Sequence, residues 1–195
     1  AIRKLASEQY HDVAIDSQVN LNLIQFYNTY PSSEVNGNFM TCWKMYADTP
    51  MDESVSQMLY PDIKNKIEGL SDVQAVNQIL NWVQTAFQYE YDDKVWGHDR
   101  AFFAEETLYY PYCDCEDRAI LFTRLVRDLL GLKCILVYYP GHLASAVCLK
   151  QQVNGDYISL DGDVYTICDP TYIGAPVGIT MPEMDNRSAK VIKLL

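Results

Sequence analysis

Three residues able to share nucleophilic chemistry fall in order along the chain: Cys115, His142 and Asp169. Cys115 follows Asp114, precedes Glu116 and Asp117, and opens an amphipathic run from Ala119 to Leu130 that Pro111 and Gly131 bracket. The pattern predicts a helix with the thiol in its first turn. Asp114 can cap it, Asp117 stands three residues on as the acid of a capping box, Ala119, Phe122, Val126 and Leu129 mark a buried stripe, and Gly131 supplies the stop. His142 stands where a Pro140, Gly141 turn meets an apolar strand, and Asp169 closes another strand just before Pro170. A thiolate attacks, an imidazole takes and returns the proton, and a carboxylate fixes the imidazole tautomer.

Each residue alone has a plainer reading: a buried inert thiol, a turn histidine, a turn-forming aspartate before proline. The three together are more specific. Glu116 and Asp117 oppose the helix terminus, because nearby negative charge raises a thiol pKa, so activation of Cys115 falls to His142. One oxyanion donor is the Cys115 backbone N–H, and the preceding loop offers Trp96 as a side-chain candidate, with plain aromatic packing as its alternative and Tyr89 as a competitor. His98 and His11 read as surface residues. Cys113 forms a Cys, x, Cys pair with Cys115, but structural zinc sites present a two-residue spacer and a second pair, which this chain lacks, so no metal and no organic cofactor is expected.

The elements that must position these residues follow from composition and periodicity. The chain has 195 residues, 49% hydrophobic and 21% charged, with 15 Tyr, enough for a buried core in one to one and a half domains. Its 26 acidic and 15 basic residues give a net charge of −11, which disfavours nucleic acid. No apolar run approaches the ~20 residues of a membrane-spanning helix. Position 1 is Ala and no leader pattern is present, so localisation is unread from the residues. The six cysteines (42, 113, 115, 134, 148, 168) are too sparse for a disulfide scaffold.

Residues 1–50 read as an N-terminal elaboration of the same domain, with a short strand near Val13 and Ile15, a helix carrying Leu21, Ile24 and Tyr27 that Pro31 ends, and a loop from Ser32 to Asn38. Residues 51–195 form the main body. Two short helices are expected, one over Asp52 to Tyr60 and one starting at Pro61. Ser71 to Gln74 is a capping box opening a helix striped by Val73, Val76, Leu80, Val83 and Phe87, and Tyr89 to Glu106 reads as irregular. Four strands follow the cysteine helix: Cys134 to Tyr139, His142 to Leu149, Tyr157 to Leu160 and Val164 to Cys168. Helices first and antiparallel strands afterwards make an α+β fold, the nucleophile helix packed on the sheet. Ala144, Ala146 and Cys148 share the His142 face, and their small side chains would let that helix pack close.

A constraint on strand order comes from the chemistry. In a simple meander, His142 and Asp169 lie roughly five residue rises of ~3.3 Å apart and cannot interact. A working site therefore requires the Val164 to Cys168 strand to pair antiparallel with the His142 strand, leaving Tyr157 to Leu160 outside.

Cys115, Glu116, Asp117, Arg118, Ala119, with Leu125, Val126, Arg127, Gly131 and Leu132, resembles the transglutaminase-like domain of the papain-like cysteine hydrolase superfamily. His142 with its strand, and Asp169, Pro170, Thr171 with Tyr172, resemble the family's second and third motifs, and the likeness spans about Ser71 to Gly174. The chain departs at Cys113, where bacterial relatives often carry Gly or another small residue. The resemblance implies a papain-like core and acyl transfer through a thioester, with Cys115 the nucleophile, His142 the base and then acid, and Asp169 the orienting group. It implies a peptide or protein side-chain amide as substrate, cell-wall peptides among them, and an extracytoplasmic setting. The alternative it carries is an inactive binding module of a larger secreted assembly.

Overall fold

A computed structural model of the chain describes residues 2–30 and 38–195. Two strands open it, β1 (Arg3–Ala6) and β2 (Ala14–Ser17), paired antiparallel so that Leu5 faces Ile15 and both side chains enter the core. The strand read near Val13 and Ile15 is β2, and β1 is its unforeseen partner. Helix α1 (Leu21–Tyr27) buries Ile24 and Tyr27 and is capped by the Asn20 side chain. It runs to Tyr27, with Asn28 as its C-terminal cap; Pro31, expected to end it, and the loop expected from Ser32 up to residue 37 lie outside the described residues. Asn38 then caps α2 (Phe39–Asp48), accepting from the Met40 N–H at 3.0 Å, and α2 buries Cys42, Trp43, Tyr46 and Ala47.

Where two short helices are expected there is one, α3 (Glu53–Ile67), with Pro61 inside it. Proline forfeits one backbone hydrogen bond. Val55, Leu59, Ile63 and Ile67 recur every fourth residue on the buried face, and their burial carries the helix through that loss. Helix α4 (Asp72–Thr85) starts with the expected box: Ser71 Oγ accepts from the Gln74 N–H at 3.3 Å, and the Gln74 side chain accepts from the Ser71 N–H at 3.0 Å.

The stretch read as irregular holds short regular pieces: β3 (Gln88–Tyr89), α5 (Asp92–Val95) and α6 (Ala104–Tyr109). Strand β3 pairs in parallel with β4 (Tyr112–Cys113), which delivers the chain to α7 (Cys115–Leu130). Helix α7 ends at Gly131, whose φ of 64° is the left-handed cap a side chain would resist. Buried Arg118 ties this helix to α4 and to the residue just before β3, donating to the carbonyls of Gln84 at 3.1 Å and Phe87 at 2.8 Å.

The remaining strands, β5 (Cys134–Tyr139), β6 (His142–Val147), β7 (Tyr157–Leu160), β8 (Asp163–Cys168) and β9 (Lys190–Lys193), form one antiparallel sheet in the order β7-β8-β6-β5-β9. Strand β8 lies beside β6, with Ser145 opposite Cys168 and Val147 opposite Thr166, and β7 lies outside it. This is the order the chemistry demanded. The four-residue β9 on the far edge was not foreseen.

Helix α7 covers the sheet face carrying Leu136, Leu143 and Val147. This corrects the small-residue argument: side chains alternate along a strand, and Ala144 and Ala146 point to the opposite face, against Ile135, Val137, Tyr165 and Ile167. The chain is thus a mixed α+β fold with an antiparallel sheet, and among the described residues no helix is long and apolar enough to cross a membrane.

Candidate active site

Strand pairing β6 to β8 brings the ends of two strands together, and His142 Nε2 lies 2.8 Å from Asp169 Oδ2. Both residues are buried. The other carboxylate oxygen, Oδ1, accepts from the backbone N–H groups of Thr171 at 2.9 Å and Tyr172 at 3.2 Å. A carboxylate at Nε2 requires a proton on that nitrogen, so the neutral ring presents a bare Nδ1. Buried Gln84 holds the loop from behind: its Nε2 lies within 2.9 to 3.0 Å of the carbonyls of Asp169, Tyr172 and Ala175, and its Oε1 accepts from the Gly174 N–H at 3.1 Å. Gln84 was missed in the sequence because a lone glutamine near a helix end carries no signal of what its amide will reach.

Cys115 and His142 line one cleft of about 270 Å³. The thiol is 8% exposed. Its hydrogen bond runs to Glu116 Oε2 at 3.2 Å rather than to His142. Burial, then the charges of Glu116 and Asp114, push the thiol pKa well above its ordinary value, against one favourable hydrogen bond from the Leu143 backbone N–H. The cysteine therefore rests as a thiol, and any nucleophilic role would require a base to take its proton. Replacing Glu116 with Gln removes an adjacent negative charge and is expected to lower the Cys115 pKa by about one unit. Thiolate absorbance followed against pH in wild type and variant checks this; an unchanged or higher midpoint would contradict it.

Behind the thiol, Asp92, Asp114 and Asp117 are all buried. Asp117 accepts from the N–H groups of Phe102 at 2.8 Å and Asp114 at 3.1 Å, which anchors the turn before α7. Burial and then mutual repulsion with Asp117, Glu116 and Asp92 push Asp114 up to about 11, and burial with Glu116 and Asp99 raises Asp92 to about 6. Asp117 is likewise raised, by burial first and Glu116 next. A carboxyl that keeps its proton when folded and loses it when unfolded binds more protons in the native state, so stability is full below the unfolded carboxylate range and falls as pH rises toward the folded pKa. Each such proton is worth about 1.4 kcal/mol per pH unit across that window. The melting temperature is expected to be lower at about pH 8 than at about pH 6; a thermal scan showing the reverse would contradict the buried carboxyl cluster.

The side-chain oxyanion assignment requires correction. Trp96 does not line the cleft: it packs edge-on to Phe102 and Tyr110, with the Arg100 guanidinium 4.4 Å from its ring centroid, and lines a separate pocket with Tyr27 and Tyr46. Tyr89 does line it, as do Phe39 and Trp43 of α2. Those α2 residues were unread because the N-terminal stretch shows no motif before it is folded against α7. Cys113 is buried away from the cleft, its sulfur 3.5 Å from Arg118 Nε. His98 is exposed, its ring nitrogen 3.1 Å from the Trp96 carbonyl, and His11 is also exposed.

All six cysteines are free. Among the described residues two groups bring potential metal ligand atoms within 4.8 Å of one another, Asp92 with Asp114 and Asp117, and Asp114 with Cys115 and Glu116, and Cys113 belongs to neither. In physical terms the molecule is an α+β protein that sets a helix-borne cysteine and a strand-borne histidine on one cleft, the histidine hydrogen-bonded to Asp169 just beyond β8. Comparison with models of known families, with curated proteins and with solved structures gave no match.

Proposed function

We propose that the chain is a cysteine hydrolase or acyltransferase acting on an amide, a peptide bond or a protein side chain, with a transglutaminase-like, papain-like arrangement of Cys115, His142 and Asp169. One observation carries the reading: Nε2 of His142 is spent on Asp169 at 2.8 Å, and His142 is among the residues that line the cleft containing Cys115. Nδ1 is then the nitrogen left to serve the thiol. Sγ attacks the amide carbon as its proton passes to Nδ1; the C–N bond breaks, the amine leaves with that proton, and a thioester remains on Cys115. Water, or an acceptor amine, then gives a proton to Nδ1 and displaces the sulfur. The Cys115 N–H, in the first helical turn and so without an intrahelical partner, is available to the oxyanion.

A second reading, a binding module without turnover, is favoured by the thiol's own hydrogen bond to Glu116 and its burial. Hydrolysis across a library of peptides and side-chain amides, with Cys115→Ala as the blank, separates the two. Release of amine by the wild type alone supports the enzyme; no Cys115-dependent release from any member supports the module.

A further inference from the structure

Asp169 opens a surface loop with little packing of its own. Thr171 and Tyr172 are half-buried, Gly174 is exposed, and Ile173 keeps 60% of its surface in water. A segment with so few buried apolar contacts owes its shape to main-chain hydrogen bonds. Four of them run to one side chain. The Gln84 amide nitrogen, with two hydrogens, serves the carbonyls of Asp169, Tyr172 and Ala175, and its oxygen accepts from Gly174, whose φ of 82° suits glycine alone. Carbonyl dipoles aimed at one buried point need a donor between them. Asn81, one turn back on α4, fixes which way the amide faces by donating to the same oxygen at 3.4 Å. The folded loop then offers the N–H groups of Thr171 and Tyr172 that aim the Asp169 carboxylate.

Gln84 also reaches the other half of the site. Its backbone carbonyl accepts from Arg118 of α7 at 3.1 Å, three residues past Cys115. At 1% exposed and outside the cleft lining, it acts only through other residues. We propose that Gln84 is a positioning residue: it holds Asp169 against His142, which keeps a proton on Nε2 and leaves Nδ1 for the thiol. The effect on turnover rests on the hydrolase reading; the hold on the histidine does not. Plain core packing would explain a buried side chain at this place, but an apolar one would do that without strain, whereas the amide matches the loop's main chain atom for atom.

The test reads the Nε2–H proton directly, by nuclear magnetic resonance of protein labelled with ¹⁵N-histidine. His11 and His98 are exposed, so a ring N–H protected from exchange with water belongs to His142, and His142→Ala confirms it by losing the signal. Gln84→Met keeps length without the amide and is expected to lose the protected proton, with kcat down about 100-fold and KM within about threefold of wild type. Gln84→Glu keeps the oxygen that Gly174 needs and regains one donor only while its buried carboxyl is protonated. It is expected to show the signal at about pH 5.5 and lose it by about pH 8.5, where wild type keeps it. Trp82→Phe removes a different buried bond of α4, to the Leu5 carbonyl at 3.0 Å, and should lower the melting temperature while leaving the signal and kcat in place.

A folded Gln84→Met protein that keeps the protected proton, its loss in Trp82→Phe, its absence from wild type, or failure of both Gln84 variants to fold would overturn the proposal. The hydrolase reading fails separately. A wild type that turns over no amide, with a signal that still depends on Gln84, keeps the hold on His142 and overturns the enzyme. Turnover that both Gln84 variants leave unchanged keeps the enzyme and overturns the positioning role.

Discussion

Replacing His142 with alanine is expected to lower amide turnover by about four orders of magnitude or more. The thiol of Cys115 is held protonated by burial and by Glu116, so it has no standing pool of thiolate with which to bypass a lost base. On the proposed reading the proton passes to His142, whose Nε2 is held at 2.8 Å from Asp169 and which lines the same cleft as Cys115. The substitution leaves a buried Asp169 oxygen unpaired, at a cost of about 1–3 kcal/mol, so the variant should melt lower yet still fold. Turnover measured alongside melting checks both parts. Partial rescue by added imidazole would mark the loss as chemical, and activity within tenfold of wild type would remove His142 from the mechanism.

The second large effect concerns one hydrogen. Asp169→Asn preserves size, and its side-chain oxygen can keep the N–H groups of Thr171 and Tyr172 that Oδ1 now accepts. Those two donors hold the oxygen in place, so the new amide nitrogen must face His142 Nε2. An N–H donor there forces the ring proton onto Nδ1, the nitrogen that has to be bare to accept from the thiol. The expected result is a fall in turnover of about 10³–10⁴ with near-normal substrate affinity, since no binding group changes. A rise in the Michaelis constant at unchanged turnover number would contradict a tautomer-fixing role and point to Asp169 as a loop anchor only.

The legible parts of the fold were those whose signal is local. Ser71 with Gln74, Gly131 after the α7 stripe, and the apolar strands from Cys134 to Cys168 each announce themselves within a few residues, and the structure carries all of them. Pairing β8 with β6 was legible for a different reason: a hydrogen bond between His142 and Asp169 is impossible in the meander, so chemistry chose between topologies that propensity could not rank. What escaped was set by tertiary contact. Pro61 reads as a helix start because its missing N–H is harmless there, whereas in the fold the fourfold recurrence of Val55, Leu59, Ile63 and Ile67 carries one helix through it. Trp96 and Trp43 look alike in the sequence, and only the packing of α2 beside α7 brings Trp43 to the cleft and leaves Trp96 under Arg100. The direction of the Ala144 face was misjudged because parity along a strand says which residues share a side, not which side the helix covers.

Glu116 shows how local and tertiary arguments combine. From the sequence its charge was expected to oppose a helix terminus; in the fold it also accepts from the thiol itself and lines the cleft beside Asp114. On the proposed hydrolase reading, a residue that restrains the thiol at rest and lines the cleft is placed to couple recognition to reactivity.

The central claim is that Cys115 attacks carbon with His142 as its base. Its most direct test is intact-mass and peptide-level mass spectrometry of the protein after incubation with a peptide in which the scissile amide is replaced by an electrophilic ketone. The account predicts one adduct per chain, located on the buried Cys115 rather than on the half-buried Cys148, and formed about 100-fold more slowly in His142→Ala. An adduct on Cys148, or a Cys115 adduct forming at the same rate without His142, would contradict it.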